Sequence, residues 1–246
     1  MGSWPKGVGL LRLQDVDSTN EEARRRAAAG EVGPVWIVAE RQSKGRGRQG
    51  RPWAQAPGNL FATLLMRPPA NAAHSPLLSF AACLAVGNFF ESEGLTAGMK
   101  WPNDPLINGG KAAGVLLEGG GTGGKLDWLA IGVGVNLASH PEPDAAAIHP
   151  PTSVLKETGR VVSADDAMIA IAASFDHWST ILFRDGFGAL RDAWLGRAVN
   201  LGKRIQARMP GETVDGVFED VDDAGALVLR TPRGNRRLHA ADIYFP

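Results

Sequence analysis

Apolar and polar positions follow two rhythms along the chain. Short apolar runs at 10–16, 35–39 and 59–66 have the length of strands, whereas 77–93 and 163–184 carry apolar residues at helical spacing. A polar break, Asp17-Ser18-Thr19-Asn20-Glu21-Glu22, follows the first run. Ser18 with Glu21 and Thr19 with Glu22 both fit a capping box, so the spacing predicts a helix from here to Gly30. Ser75-Pro76 reads as a cap followed by proline at the first helical position, and Gly94 as the stop of the 77–93 helix. Met168, Ile171, Phe175, Trp178 and Leu182 form the apolar stripe of the 163–184 helix, and a shorter helix is predicted at 187–195.

Three further strands are predicted at 99–107, 112–118 and 126–136, with Asn108-Gly109-Gly110 as the hairpin turn between the first two. Residues 140–151 read as a proline-rich surface loop. Past Leu201 the rhythm shortens to β runs at 204–208, 213–221, 226–230 and 237–244, separated by Asp222-Asp223 and Arg233-Gly234-Asn235. That stretch predicts a small β-barrel-like module, dividing the chain into 1–198 and 199–246. Hairpin-joined strands interleaved with helices predict an α+β fold, a mixed and mostly antiparallel sheet with packed helices. A doubly wound parallel sheet does not fit.

Composition narrows the function. Twenty-six basic residues balance 26 acidic ones, which argues against a general nucleic-acid or membrane-surface binder. Cys83 is the only cysteine, so a disulfide framework or a cysteine zinc site is excluded within one chain. No signal-peptide pattern opens the chain, and no run approaches the ~18 apolar residues of a membrane span. A soluble, cytoplasmic protein is expected.

Against this neutral background, residues 40–53 (ERQSKGRGRQGRPW) stand out. Arg46, Arg48 and Arg51 carry three positive charges among Gly45, Gly47 and Gly50, which permit tight turns and expose backbone N–H groups. Such a loop suits a highly negative load. Its glycines, among mutually repelling arginines, predict a loop that is mobile when empty and ordered by ligand. The G-x-G-x-x-G match at 45–50 is not a dinucleotide fingerprint, because Pro52 and Pro57 follow where a helix should begin. Gly119–Lys125 (GGGTGGK) nearly spells a phosphate-binding P-loop. Leu126 stands where that motif needs Ser or Thr, so it reads as a hairpin connection. His140, Asp144 and His149 show no metal-ligand spacing.

Five motifs occur in series: Asp17-Ser18-Thr19-Asn20; Gln42 with Gly45–Arg51; Lys100-Trp101-Pro102-Asn103-Asp104; Lys111-Ala112-Ala113-Gly114; and Gly132-Val133-Gly134-Val135-Asn136. In order and spacing this series resembles the biotin–protein ligases over nearly the whole chain. The resemblance implies a catalytic domain like that of class II aminoacyl-tRNA synthetases, followed by an SH3-like β-barrel. It also implies a two-step reaction. Biotin's carboxylate attacks the α-phosphate of MgATP, and the biotinyl group then passes to a lysine of a biotin carboxyl carrier domain of acetyl-CoA carboxylase or a related carboxylase.

Carried onto this chain, the resemblance places Ser18, Thr19, Asn20 and Gln42 around the biotin head. Arg46, Gly47 and Arg48 fall in the loop over biotin and adenylate, and Lys111 bridges the biotin carboxylate and the α-phosphate. Arg48, Asp104 and Lys111 are the implied catalytic set. Arg46, Arg48, Arg51, Trp53, Asn103, Asp104 and Asn136 fall on the nucleotide side, with Trp53 over the adenine and Asp104 orienting or deprotonating the acceptor lysine. Mg2+ arrives with ATP, and no protein ligand is assigned to it. Neither DNA nor a membrane is implied as partner, and a homodimer is compatible. Each residue has a plainer role: Ser18 and Thr19 as helix caps, Gln42 as a solvated strand end, Asp104 as a brace for the Pro102–Pro105 bend, Trp53 as a loop anchor.

Gln49 stands where many members carry another arginine, with Lys44 nearby as partial compensation. Sixteen residues precede Asp17, too few for the helix-turn-helix domain of some members, so a ligase without repressor function is expected. Lipoate–protein ligase is the nearest enzyme alternative, and a nucleic-acid module using the arginine loop is an alternative of another class.

Overall fold

The computed structural model describes residues 3–31, 33–123, 125–143 and 149–244; Asp144, named above, lies outside them. The chain opens with a strand–helix–strand unit, β1 (Gly9–Val16), α1 (Thr19–Ala28) and β2 (Val35–Gln42), whose strands pair in parallel. Then come β3 (Leu60–Met66), α2 (Leu78–Ser92), and the small strands β4 (Ala97–Lys100), β5 (Asp104–Ile107) and β6 (Gly110–Lys111). β7 (Ala113–Gly120) and β8 (Trp128–Val135) complete the main sheet, in order β1-β2-β3-β8-β7 and antiparallel beyond its first pair. Three helices follow: α3 (Val154–Thr158), α4 (Ala164–Asp185) and α5 (Gly188–Leu195). The chain ends in β9 (Arg204–Met209), β10 (Glu212–Val221), β11 (Leu227–Thr231), β12 (Gly234–Leu238) and β13 (Asp242–Tyr244), an antiparallel sheet in order β12-β11-β10-β9-β13.

Period-two alternation assigns the faces of the main sheet. Trp36 and Val38 on β2, Leu60, Ala62 and Leu64 on β3, and Ile131, Val133 and Val135 on β8 enter a core shared with α2 and α4. α2 is apolar nearly all round because it is enclosed, with Leu78, Leu84 and Phe90 fully buried. Burying each such side chain stabilises the fold by about 1.5–3 kcal/mol. On the opposite face, Ala23 of α1 packs on Ile37, Leu65 and Ala130. The main core runs on into the C-terminal sheet through Ile205, Ala207, Val214 and Phe218. Trp101 Nε1 also donates to Gly225 O at 3.1 Å, and Arg191 pairs with Asp220.

Three expectations are corrected. Residues 99–107 are not one strand but the hairpin β4–β5, turning at Trp101-Pro102-Asn103. A proline has no N–H to give a ladder, so the pairing breaks there. Residues 237–244 divide between β12 and β13, on opposite edges of their sheet. Ser75 does not cap α2. Its backbone is already helical (φ −56°, ψ −52°), because a short turn at Ala72–His74 precedes α2, and there the extended Asn71 is the cap, accepting from Ala73 N at 3.1 Å. Ser163 does cap α4, accepting from Asp166 N at 3.0 Å. The GGGTGGK stretch connects β7 to β8 and leaves Lys125 exposed; Gly124 lies outside the described residues.

Candidate active site

A cleft of about 580 Å³ opens on the face of the main sheet away from α2. Its floor is cut from glycine. Gly114 on β7 pairs with Gly134 on β8, and Gly132 pairs with Thr63 on β3. A Cβ on Gly132 would stand 2.3 Å from Asn20 Oδ1, and one on Gly134 would stand 2.7 Å from the Trp53 indole. Both approaches need a bare backbone. The indole thus lies on the Gly114–Gly134 pair, with Lys111 Nζ 5.9 Å from its ring centroid. Trp53 anchors the loop here, its plainer role, while its ring remains part of the cleft wall.

At one end, the start of α1 meets the end of β2. Ser18, Thr19 and Asn20 are all buried. The capping box is not made: Ser18 has the extended backbone of a cap, but its hydroxyl bonds no backbone N–H. Thr19 N instead donates to Gln42 Oε1 at 2.8 Å, with Thr19 Oγ1 3.2 Å from the same oxygen. Glu21 and Glu22, the other halves of the expected boxes, pair with arginines. Asn20 is committed to the protein, donating to Glu118 Oε2 at 2.7 Å and accepting from Thr63 Oγ1 at 2.6 Å. Of the four residues expected around a ligand head, Ser18 offers its hydroxyl, Gln42 its amide N–H groups, and Asn20 acts as a strut.

The other end is charged. The three-stranded meander β4–β5–β6 sets Lys111 opposite Leu106, two residues from Asp104 on the same strand face. Lys111 Nζ consequently donates to Asp104 Oδ1 at 2.7 Å. Asn103 lies beside them, 3.5 Å from Arg48 Nη1. Burial pushes the Arg48 and Lys100 cations below their ordinary pKa values, Asp104 and Asp242 only partly opposing it. Partly dehydrated positive charge of this kind is stabilised by an arriving anion. Asn136 donates to Thr152 O at 3.0 Å, and its buried Oδ1 has no partner, as does the buried Trp53 Nε1. Buried polar atoms of that sort are normally satisfied, and both residues line the cleft. His149 also lines the cleft, with Nδ1 2.7 Å from Gly109 O and its pKa lowered by burial.

The glycine–arginine loop crosses above. Its arginines do not simply repel one another, because each has a separate partner: Arg46 with Glu21 and Glu118, Arg51 with Asp242, Arg48 with Asn103. Gly47 N to Arg51 O at 2.8 Å and Trp53 N to Gly45 O at 3.0 Å close the loop. Gln49 takes the left-handed conformation (φ 57°) and accepts from Arg51 Nη2 at 3.0 Å.

The cleft thus brings together every residue expected of the site, and adds several the motifs did not single out. Lys100 on β4 and Asp242 and Tyr244 of the C-terminal sheet line it, while Thr63 and Glu118 stand behind the lining, bonded to Asn20. Lys100 was within reach of the sequence, being the first residue of its motif. Thr63 and Glu118 share the cleft-side strand phase of the glycines, a usable but weak signal.

The cleft is bipartite, neutral and hydrogen-bonded at one end and cationic at the other, on a mixed sheet. A family model described as the biotin/lipoate A/B protein ligase family matches residues 12–136, and one described as the biotin protein ligase C-terminal domain matches 200–245. The chain belongs to the biotin protein ligase family. It is 43% identical over 243 residues to the biotin–[acetyl-CoA-carboxylase] ligase of Paracoccus denitrificans, covering 95% of this chain and 99% of that one. It is 30% identical to the bifunctional ligase/repressor BirA of Bacillus subtilis, over 96% of this chain and 74% of that protein. The biotin protein ligase of Aquifex aeolicus, solved with biotin and ATP, superposes with a TM-score of 0.80 over 96% and 97% of the chains at 23% identity, which bears on the fold. The Leishmania major enzyme, solved with biotinyl-5-AMP, gives 0.65 at 25% identity, over 96% of this chain and all of that one.

Proposed function

We propose that this protein activates biotin with ATP to biotinyl-5′-AMP and transfers the biotinyl group to the ε-amine of a specific lysine on a biotin carboxyl carrier domain. One observation carries the reading: Lys111, paired with Asp104, shares one cleft with the neutral hydrogen-bonded Thr19–Gln42 pair and with the part-buried cations Arg48 and Lys100. Biotin has the matching parts, a neutral ureido head and a carboxylate tail. Ser18 and the Gln42 amide face the head, and Lys111 and Arg48 face the tail.

In the first step a biotin carboxylate oxygen bonds to the α-phosphorus while the bond from that phosphorus to the β-phosphate bridge breaks, releasing pyrophosphate. Two anions must meet, and each unit-charge pair at 4 Å repels by about 1–4 kcal/mol between water and a protein surface. Lys111 is a compact ammonium that can touch oxygens of both groups. Arg48, Lys100 and Arg51 oppose the charge that develops on the phosphates. In the second step the carrier lysine, as free amine, attacks the acyl carbon. The bond to AMP breaks and the amine proton leaves. Asp104, released from Lys111 as that cation turns to the adenylate, is placed to take it.

Mg2+ accompanies ATP in this reading and neutralises its phosphates. Among the described residues no three acidic, histidine or cysteine side chains cluster. Phosphate oxygens and water would therefore be its main ligands, with Asp104 a cleft carboxylate that could add to a shell of the kind that suits magnesium. No helix among the described residues is long and apolar enough to cross a membrane. Acetyl-CoA carboxylase as the carboxylase, a cytoplasmic location, a homodimer and a domain boundary near residue 198 extend the same reading. Pull-down, fractionation, sedimentation and limited proteolysis test them in turn.

The deciding experiment incubates the protein with biotin, MgATP and a biotin carrier domain, and looks for the mass of one biotinyl group on the carrier. Modification is expected only with all three present. Pyrophosphate release driven by lipoate and not by biotin would move the assignment to lipoate ligation. Tight, salt-sensitive DNA binding without biotin transfer would move it to a nucleic-acid module.

A further inference from the structure

Lys111 ends β6, a strand of two residues that pairs with β5 through Gly110 and Lys111 alone. A hairpin arm that short is marginal by itself. Its turn is demanding as well, since Asn108 (φ 49°) and Gly109 (φ 86°) are both left-handed, as a two-residue type I′ turn requires. A strap formed by residues 149–152 lies along the other side of β6. Lys111 N donates to Pro150 O at 2.9 Å, and Lys111 O accepts from Thr152 N at 3.0 Å. His149 Nδ1 donates to Gly109 O at 2.7 Å, since a carbonyl can only accept. A Cβ on Gly110 would stand 2.9 Å from Thr152 Cγ2, so the strap needs glycine there to lie this close. One carboxylate joins turn and strap. Glu157 of α3 accepts from Asn108 Nδ2 at 2.8 Å with one oxygen and from the hydroxyl of buried Thr152 at 2.5 Å with the other. The Thr152 and Asn108 bonds hold its carboxyl below the usual carboxylate range. None of Glu157, Asn108 and Thr152 lines the cleft.

We infer that Glu157 is a positioning residue for Lys111: it clamps the β5–β6 turn to the 149–152 strap and so sets where the ammonium stands in the cleft. This rests on the reading of Lys111 as the group that meets carboxylate and phosphate. Both backbone bonds of Lys111 run to the strap, and the strap's only side-chain tie to α3 is the Thr152 hydroxyl on Glu157. Without the carboxylate, the turn loses the Asn108 tie and the strap loses the Thr152 tie together. A reacting centre tolerates little displacement, and a misplacement of about 1 Å can cost on the order of 10²-fold in rate.

Glu157→Ala removes both bonds. Amide hydrogen exchange over residues 108–112, read by mass spectrometry, is expected to rise about tenfold. The kcat of biotin-dependent pyrophosphate exchange is expected to fall roughly 30-fold, with KM for biotin within about threefold of the parent. In a Lys111→Ala background the same substitution should cost less than about threefold more, because the residue it positions is gone. Unchanged amide exchange, an unchanged kcat, a rise in KM with kcat unmoved, or an equal loss in both backgrounds would each overturn the inference. If Glu157→Ala does not fold, Asn108→Gly decides by the same measurements. Glycine keeps the left-handed turn and loses only the bond to Glu157, so kcat should fall on the order of fivefold. A parent protein without biotin-dependent pyrophosphate exchange would refute the biotin reading alone, leaving the clamp to be judged by amide exchange.

Discussion

The two ends of the cleft use polar groups in opposite ways. At the head-group end, Thr19, Asn20, Gln42 and Thr63 are neutral and mostly buried, and they are bonded chiefly to one another. At the other end, Arg48 and Lys100 are charged and part-buried, with their pKa values held down by desolvation. The first end is finished before ligand arrives, so it can recognise shape and hydrogen bonding at little cost. The second is left electrostatically incomplete, and an anion completes it. Specificity and driving force are thereby separated along a single cleft.

The largest expected effect breaks the charged end. Lys111→Ala should leave the fold intact but lower biotin-dependent pyrophosphate exchange by roughly 10³-fold, about 4 kcal/mol, as the loss of a charge-stabilising donor does elsewhere. Near-normal exchange by a folded variant would remove Lys111 from its role. Next in size is Gln42→Ala at the neutral end. It strands Thr19 N and should raise KM for biotin by about 30-fold, near 2 kcal/mol, with kcat little changed. A loss in kcat of the same size would mean that the two ends are not separate.

A smaller effect concerns protons. Lys100 has its folded pKa lowered from the ordinary 10.5, chiefly by burial. Between its folded value and 10.5 the unfolded chain binds more protons, so the stability of the empty protein rises with pH across that window. An anionic ligand favours the charged amine and draws a proton back. ATP binding on the alkaline side should therefore take up less than one proton, and affinity should fall as pH rises through the window. Calorimetry in two buffers of different ionisation enthalpy measures this, and proton release would contradict it. Smallest is Asp242→Asn, which removes the partner of an exposed Arg51. Such pairs contribute about 0–1 kcal/mol, so thermal stability should barely move. A large drop would show that this contact fastens the C-terminal sheet to the loop.

Much of the site was legible in the chain because its signals are local. Glycine spacing marked the floor and the loop, and the polar break after β1 marked the start of α1. The KWPND motif kept Asp104 within seven residues of Lys111. The Ser18 capping box misled for a reason that only folding supplies. Asp17 takes the Ser18 N–H that Glu21 would have accepted, and Glu21 is drawn instead to Arg24 and to Arg46, 25 positions away. The expectation of freely repelling arginines failed similarly, since Glu118 lies 72 positions from Arg46 and Asp242 lies 191 from Arg51.

Residue chemistry alone carried the resemblance to the family, most of the strands along the chain, and the candidates to meet a carboxylate and a phosphate. It did so because cation, glycine and proline requirements are written into short segments. Which carboxylate pairs with each arginine, which amide bonds only within the protein, and that the C-terminal sheet reaches the cleft were decided by tertiary structure. Those outcomes depend on hydrogen bonds and ion pairs between distant strands. A charge or an amide has no fixed role until the fold determines which partner reaches it first.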